Sequence, residues 1–126
     1  MADQLSGKAL DARFFEVCWG WRKESSALMT GQWREPHKPI GEDLWFYLPE
    51  VSTDANACEA WAMRWAREQG LHIWIHFDSR GAWAELESPD EYGAVYADET
   101  GSDWKEAFVR ACVAAGQERL KQSKGE

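Results

Sequence analysis

The stretch from Leu71 to Leu86 limits the fold more than any other part of the chain. Leu71, Ile73, Ile75 and Phe77 alternate with His72, Trp74 and His76, the period of a β-strand with one apolar face. The connection Asp78-Ser79-Arg80-Gly81 turns the chain back, so Ala82 to Leu86 returns as the partner strand. With Phe77 opposite Ala82, Ile75 faces Ala84 and Ile73 faces Leu86 on the core side. The same register sets His76 opposite Trp83 and Trp74 opposite Glu85 on the second face. A hairpin is marginal alone, so its apolar face needs helices to cover it.

The chain offers three such helices. Leu10, Phe14, Val17, Cys18 and Trp21 share one face of a helix over about 6–19 that Gly20 ends. Ser52, Thr53 and Asp54 supply capping side chains to a second, whose stripe is Cys58, Trp61, Ala62 and Trp65 and whose stop is Gly70. Ser102 caps a third, striped by Trp104, Ala107, Phe108, Ala111, Cys112 and Ala115. Leu44 to Leu48 and Gly93 to Ala97 read as two further strands. The order α-β-α-β-β-β-α predicts an α+β fold, an antiparallel sheet of about four strands sandwiched by three helices, in one domain over 1–126. Residues 22–43, with Gly31, Pro36, Pro39 and Gly41 and no period, read as a long loop, and residues from about 117 as a flexible tail.

Three of these stretches carry a resemblance. Lys8-Ala9-Leu10-Asp11-Ala12 through Val17-Cys18-Trp19-Gly20-Trp21, the turn Pro49-Glu50-Val51-Ser52-Thr53-Asp54 before an Ala- and Trp-bearing helix, and Val109-Arg110-Ala111-Cys112 are similar in order and spacing to the phage ABA sandwich domain family. The resemblance covers nearly the whole chain. It implies a sheet between helices in a small accessory protein of a phage or prophage, working in the cytoplasm of a bacterial host, and it carries over no catalytic residues. The chain departs from the family in the length of residues 23–42 and at Val109, where a Cys often stands.

The second sheet face is the candidate site. It collects Trp45, Tyr47, His72, Trp74, His76, Trp83 and Glu85, an aromatic platform of the kind that binds partners or ligands when open. The first helix is the element left to cover it. About 14 residues make a rod roughly 21 Å long and 10 Å wide, enough to shield about two strands of four. Trp74 or Trp83 beside His76 should therefore border a groove, unless the 22–43 segment or a second copy in a homodimer closes it.

Charge supplies the other candidate surface. The chain carries 22 acids against 14 bases, net -8. Residues 78–103 alone hold eight acids and one base. Glu87, Asp90, Glu91, Asp98 and Glu99 form an acidic surface suited to a basic protein partner, and the same balance argues against nucleic acid. The leading expectation is a protein that acts by binding a host or phage protein. The alternative is a small-ligand or nucleotide-sequestering protein, with Arg22, Lys23, Arg34 or Lys38 meeting phosphate. A hydrolytic enzyme ranks third, since no nucleophile or phosphate-binding loop accompanies His76 and Glu85.

No cofactor or metal is expected. His72 and His76 on one strand stand about 13 Å apart, too far for one ion. Cys18, Cys58 and Cys112 are widely spaced on apolar stripes and read as reduced core residues. No stretch approaches the roughly 18 apolar residues of a spanning helix.

Overall fold

A computed structural model describes residues 5–23, 33–35, 44–45, 48–88 and 96–124. The fold is α+β. Helix α1 is α-helical over Gly7–Phe14 and continues with π-type winding over Phe15–Trp19. Short strands β1 (Arg22–Lys23), β2 (Trp33–Arg34) and β3 (Leu44–Trp45) follow. Helix α2 covers residues 55–68, π-wound over its middle section Cys58–Met63. Strands β4 (His72–Asp78), β5 (Gly81–Glu87) and β6 (Tyr96–Gly101) then lead into α3 (Trp104–Lys124).

The main sheet has the order β4-β5-β6, antiparallel throughout. Its hairpin has the register that the alternation predicts, with Phe77 opposite Ala82, Ile75 opposite Ala84 and Ile73 opposite Leu86. The expected fourth strand is elsewhere. Leu44–Trp45 pairs with Trp33–Arg34, which pairs with Arg22–Lys23, so part of the predicted 22–43 loop forms a small sheet of its own. The last strand also differs from expectation. Residues 93–95 lie outside the described residues, and from Tyr96 the strand continues past Ala97 to Gly101, through Asp98 and Glu99, because cross-strand pairing to β5 outweighs the low strand preference of those acids.

Small residues set how the layers meet. Ala82, Ala84 and Ala97 on the sheet and Ala107, Ala111 and Ala115 on α3 are all buried, so the helix axis can lie close to the strands. Gly101 marks the closest approach. A Cβ there would stand 2.5 Å from the backbone nitrogen of Ala107. On the far side of α3 the same device recurs at Gly116, where a Cβ would stand 2.8 Å from Val17 Cγ1. Gly116 is thus a contact point with α1 and not a helix stop. The predicted flexible tail is helix as far as Lys124, tied by Arg119, which donates to the Gln69 carbonyl at 3.2 Å.

Helix α1 packs on α3, with no close packing on the sheet, and α2 packs on α3 and β4. Bulky rings fill this helical layer. Phe15 lies 4.3 Å from Trp21 and 5.4 Å from Trp61, between ring centroids, and Trp61 meets Trp19 edge-on at 5.6 Å. Trp61 is half-buried while Trp65, expected beside it in the core, is 4% exposed. The π-winding of α1 turns Phe15 inward next to Phe14, which the 3.6-residue period alone does not place there. The three cysteines are unpaired, and burial pushes the Cys58 thiol up to about 12, in keeping with core residues.

Polar ties close the ends. Asp103, one residue after the predicted cap Ser102, accepts the Glu106 N–H at 3.0 Å, while Glu106 accepts the Ser102 N–H at 2.7 Å. Arg110 donates to the Leu5 carbonyl at 3.0 Å and to the edge carbonyl of Thr100 at 2.7 Å. Buried Asp11 accepts the Ser52 N–H at 2.9 Å, joining α1 to the turn before α2. Leu10-Asp11-Ala12 and Ser52-Thr53-Asp54 are thus one structural contact.

Gly101→Ala is expected to destabilise more than Gly116→Ala in chemical denaturation. The first methyl meets backbone, while the second meets side chains able to yield, at a cost of about 1–3 kcal/mol. Equal, small losses would contradict the close seating of α3.

Asp11 supports a second expectation. Burial raises its carboxyl above the ordinary carboxylate value, against the lowering effect of the Ser52 hydrogen bonds. The folded state then takes up a proton more readily than the unfolded state, so this group's contribution to stability grows as pH falls toward that value and shrinks as pH rises. Asp11→Asn, which keeps an acceptor, should therefore gain on the wild type as pH rises from about 4 to 7, whereas Asp11→Ala strands the Ser52 N–H and costs about 1–3 kcal/mol throughout. Parallel stability-versus-pH curves for wild type and Asp11→Asn would refute this.

Candidate functional site

With the helices gathered on one side, the second face of the β4-β5-β6 sheet is open among the described residues. Alternation assigns it three rows. His72, Glu87 and Tyr96 stand across the strands in the first, Trp74, Glu85 and Asp98 in the second, and His76, Trp83 and Thr100 in the third. Tyr96 is 58% exposed and Trp74 41%, large values for side chains of this size in the middle of a chain.

The rings hold one another. Trp83 stacks on His76 with centroids 5.0 Å apart and planes 13° from parallel. His72 meets Trp74 edge-on at 5.8 Å. His76 Nε2 lies 3.4 Å from Glu85 Oε2 but makes no hydrogen bond there. These contacts restrict the side chains before any partner arrives.

The field of the face is negative. The three strands carry Asp78, Glu85, Glu87, Asp98 and Glu99 and no lysine or arginine. Glu85 and Asp98 stand directly opposite each other, a like-charge pair that opposes folding. Tyr96 registers the same field. Its phenol is pushed up by desolvation on the sheet and then by the negative charges of Glu85, Asp98 and Glu87.

The structure brings together His72, Trp74, His76, Trp83 and Glu85 as the hairpin register predicts. It does not bring Trp45, whose strand belongs to the small sheet opposite Trp33. Tyr47 lies outside the described residues, as do Asp90 and Glu91. The acidic surface is divided. Glu87 and Asp98 are exposed on the open face, but Glu99 points to the other side, half-buried, its carboxyl pushed up by burial against the opposing pull of Arg110. Tyr96 and Thr100 are site residues that the sequence reading missed. The alternation of Tyr96, Asp98 and Thr100 against Ala97, Glu99 and Gly101 was the available signal.

A second concavity, a cleft of about 330 Å³, lies beside α1 and the small sheet. Lys8 and Lys23 line it with buried Trp33, and Asp11 and Glu50 add carboxyls.

No family model matches the chain, and no curated protein or solved structure matches it either. Among the described residues no three or more His, Cys, Asp or Glu groups are placed to share a metal ion, and no helix is long and apolar enough to cross a membrane.

Asp98→Asn is expected to raise stability by about 0.2–1 kcal/mol at low ionic strength, because it relieves the repulsion with Glu85. The gain should shrink with added salt. A loss of stability would show that the hydrogen bond Asp98 accepts from the Tyr96 hydroxyl at 3.4 Å outweighs any repulsion from Glu85.

Proposed function

We propose that the protein acts by binding, and that its partner is a positively charged protein seated on the open sheet face. The observation that carries this reading is the combination on one surface of exposed Trp74 and Tyr96 with Glu85, Glu87 and Asp98, on strands that carry no lysine or arginine. Rigid aromatic rings contribute contact area at small entropic cost, and an excess of carboxylates attracts a cationic surface. A second copy docking face to face would set these acids against themselves. The resemblance to the phage ABA sandwich family supports a small accessory protein of a phage or prophage, acting on a host or phage protein in the bacterial cytoplasm.

The cleft beside α1 favours a second reading. Lys8 and Lys23 near the Trp33 ring suit a small anionic ligand, in line with the ligand-sequestering alternative. Its volume of about 330 Å³ lies at the lower end of the range for small-molecule sites.

The test is a pull-down from host lysate with the wild type and with a Trp74→Ser, Glu85→Lys variant, followed by mass spectrometry. Proteins retained by the wild type and lost from the variant should be basic and should elute with salt. For one such partner, charge reversal at Glu87 and Asp98 is expected to slow association by about tenfold or more at low salt and to change dissociation little. Retention that is the same for both proteins would overturn the assignment of this face.

A further inference from the structure

We infer that the open face selects arginine over lysine in its partner. This rests on reading the face as the docking surface for a basic protein, and it names the group recognised. Trp74, Glu85 and Asp98 form one row across the three strands, with Trp74 on edge strand β4, Glu85 in the middle and Asp98 on edge strand β6. Neighbouring strands lie about 4.8 Å apart, so an arginine side chain laid across the row reaches all three positions.

The chemistry of the row suits a guanidinium. Its planar group stacks on an indole face, and Trp74, 41% exposed, has ring surface to offer. The adjacent ring Trp83 is already stacked on His76, so Trp74 is the better platform. From that position the fork of N–H donors faces Glu85 and then Asp98, and two carboxylates that repel each other gain a shared cation. An ammonium group has neither the plane nor the fork. It is also more strongly hydrated, so on a surface where water competes it surrenders more on binding.

The surroundings offer the pair no lysine or arginine on the three strands, and His76 as the one titratable base beside Glu85. The nearest base in sequence, Arg80, lies in the turn beyond the ends of the strands, and Arg110 is engaged on the other side with Leu5, Thr100 and Glu106. His76 approaches Glu85 to 3.4 Å without a hydrogen bond, and Asp98 accepts one from the Tyr96 hydroxyl at 3.4 Å through one oxygen, so both carboxylates keep acceptor capacity.

Two capped seven-residue peptides test the inference, one with three arginines separated by glycines and the other with three lysines in their place. Calorimetric titration at low ionic strength is expected to show the arginine peptide binding at least tenfold more tightly, with a change in tryptophan emission. Trp74→Leu, Glu85→Gln and Asp98→Asn, each checked for unchanged circular dichroism, should bring the two peptides within about twofold of each other. Equal binding of both peptides to the wild type would overturn arginine selection while leaving the basic-partner reading in place. Binding of neither would overturn both. A preference that survives all three substitutions would overturn the assignment to this row.

Discussion

The seating of α3 against the sheet governs the rest of the structure. Small side chains on both sides of that contact, Ala82, Ala84 and Ala97 against Ala107 and Ala111, let the helix lie close to the strands, with Leu86 and Phe108 buried in the same core. Gly101 allows the chain to pass from β6 into the helix with its backbone against the first turn. Once α3 lies this close, it screens the apolar side of the sheet largely by itself. The other two helices then gain more by burying their rings against α3 and each other than by crossing to the second face. Gly116 performs the same service on the far side, letting α1 approach through Val17 and Cys18.

This arrangement separates the aromatic residues into two populations. Phe14, Phe15, Trp21 and Trp65 are buried in the helical layer, where edge-on and tilted contacts among rings add to the area removed from water. Trp74 and Trp83 stand on the open face in contact with His72 and His76, and Tyr96 stands there with its hydroxyl donating to Asp98 at 3.4 Å. These tryptophans therefore answer two different demands.

Much of the first demand, and half of the second, was legible in the sequence. The hairpin register followed from alternation, because a slip by one residue would have buried His72, Trp74 and His76 and exposed Ile73 and Ile75. The stripes of α2 and α3 were legible for the same reason, through the period of 3.6. What escaped were features that no local period encodes. Gly116 has the same identity as a helix stop, and only the position of Val17 shows that it is a contact. Phe77 continues the core side of its strand yet is 71% exposed, because it lies near the end of the sheet beyond helical cover. Trp45 alternates as a strand residue should, but alternation cannot say which sheet a strand joins, and its partner is Trp33. For the site, the last strand was expected to end at Ala97 because Asp98 and Glu99 lack the composition of a strand, and Tyr96, inside the expected strand, was not placed on the candidate face because the pairing to β5 that sets it opposite Glu87 has no local signal.

The acids of the last strand also bear on the binding role proposed for the open face. A central strand with covered faces would not tolerate Glu85 opposite Asp98, since burial would multiply a repulsion that water now screens. An ordinary solvated face has no such need of carboxylates in register, because alternating signs give solubility without opposing the fold. Here the three strands hold acids of one sign beside partly ordered indoles, and the core on the other side, anchored by Phe108, Leu86 and the alanines, is what keeps the sheet intact against that repulsion. The favourable energy that such an array can release is realised only when a cation enters it. A surface that opposes its own folding and favours a positive partner has the electrostatic form of a site waiting for its complement.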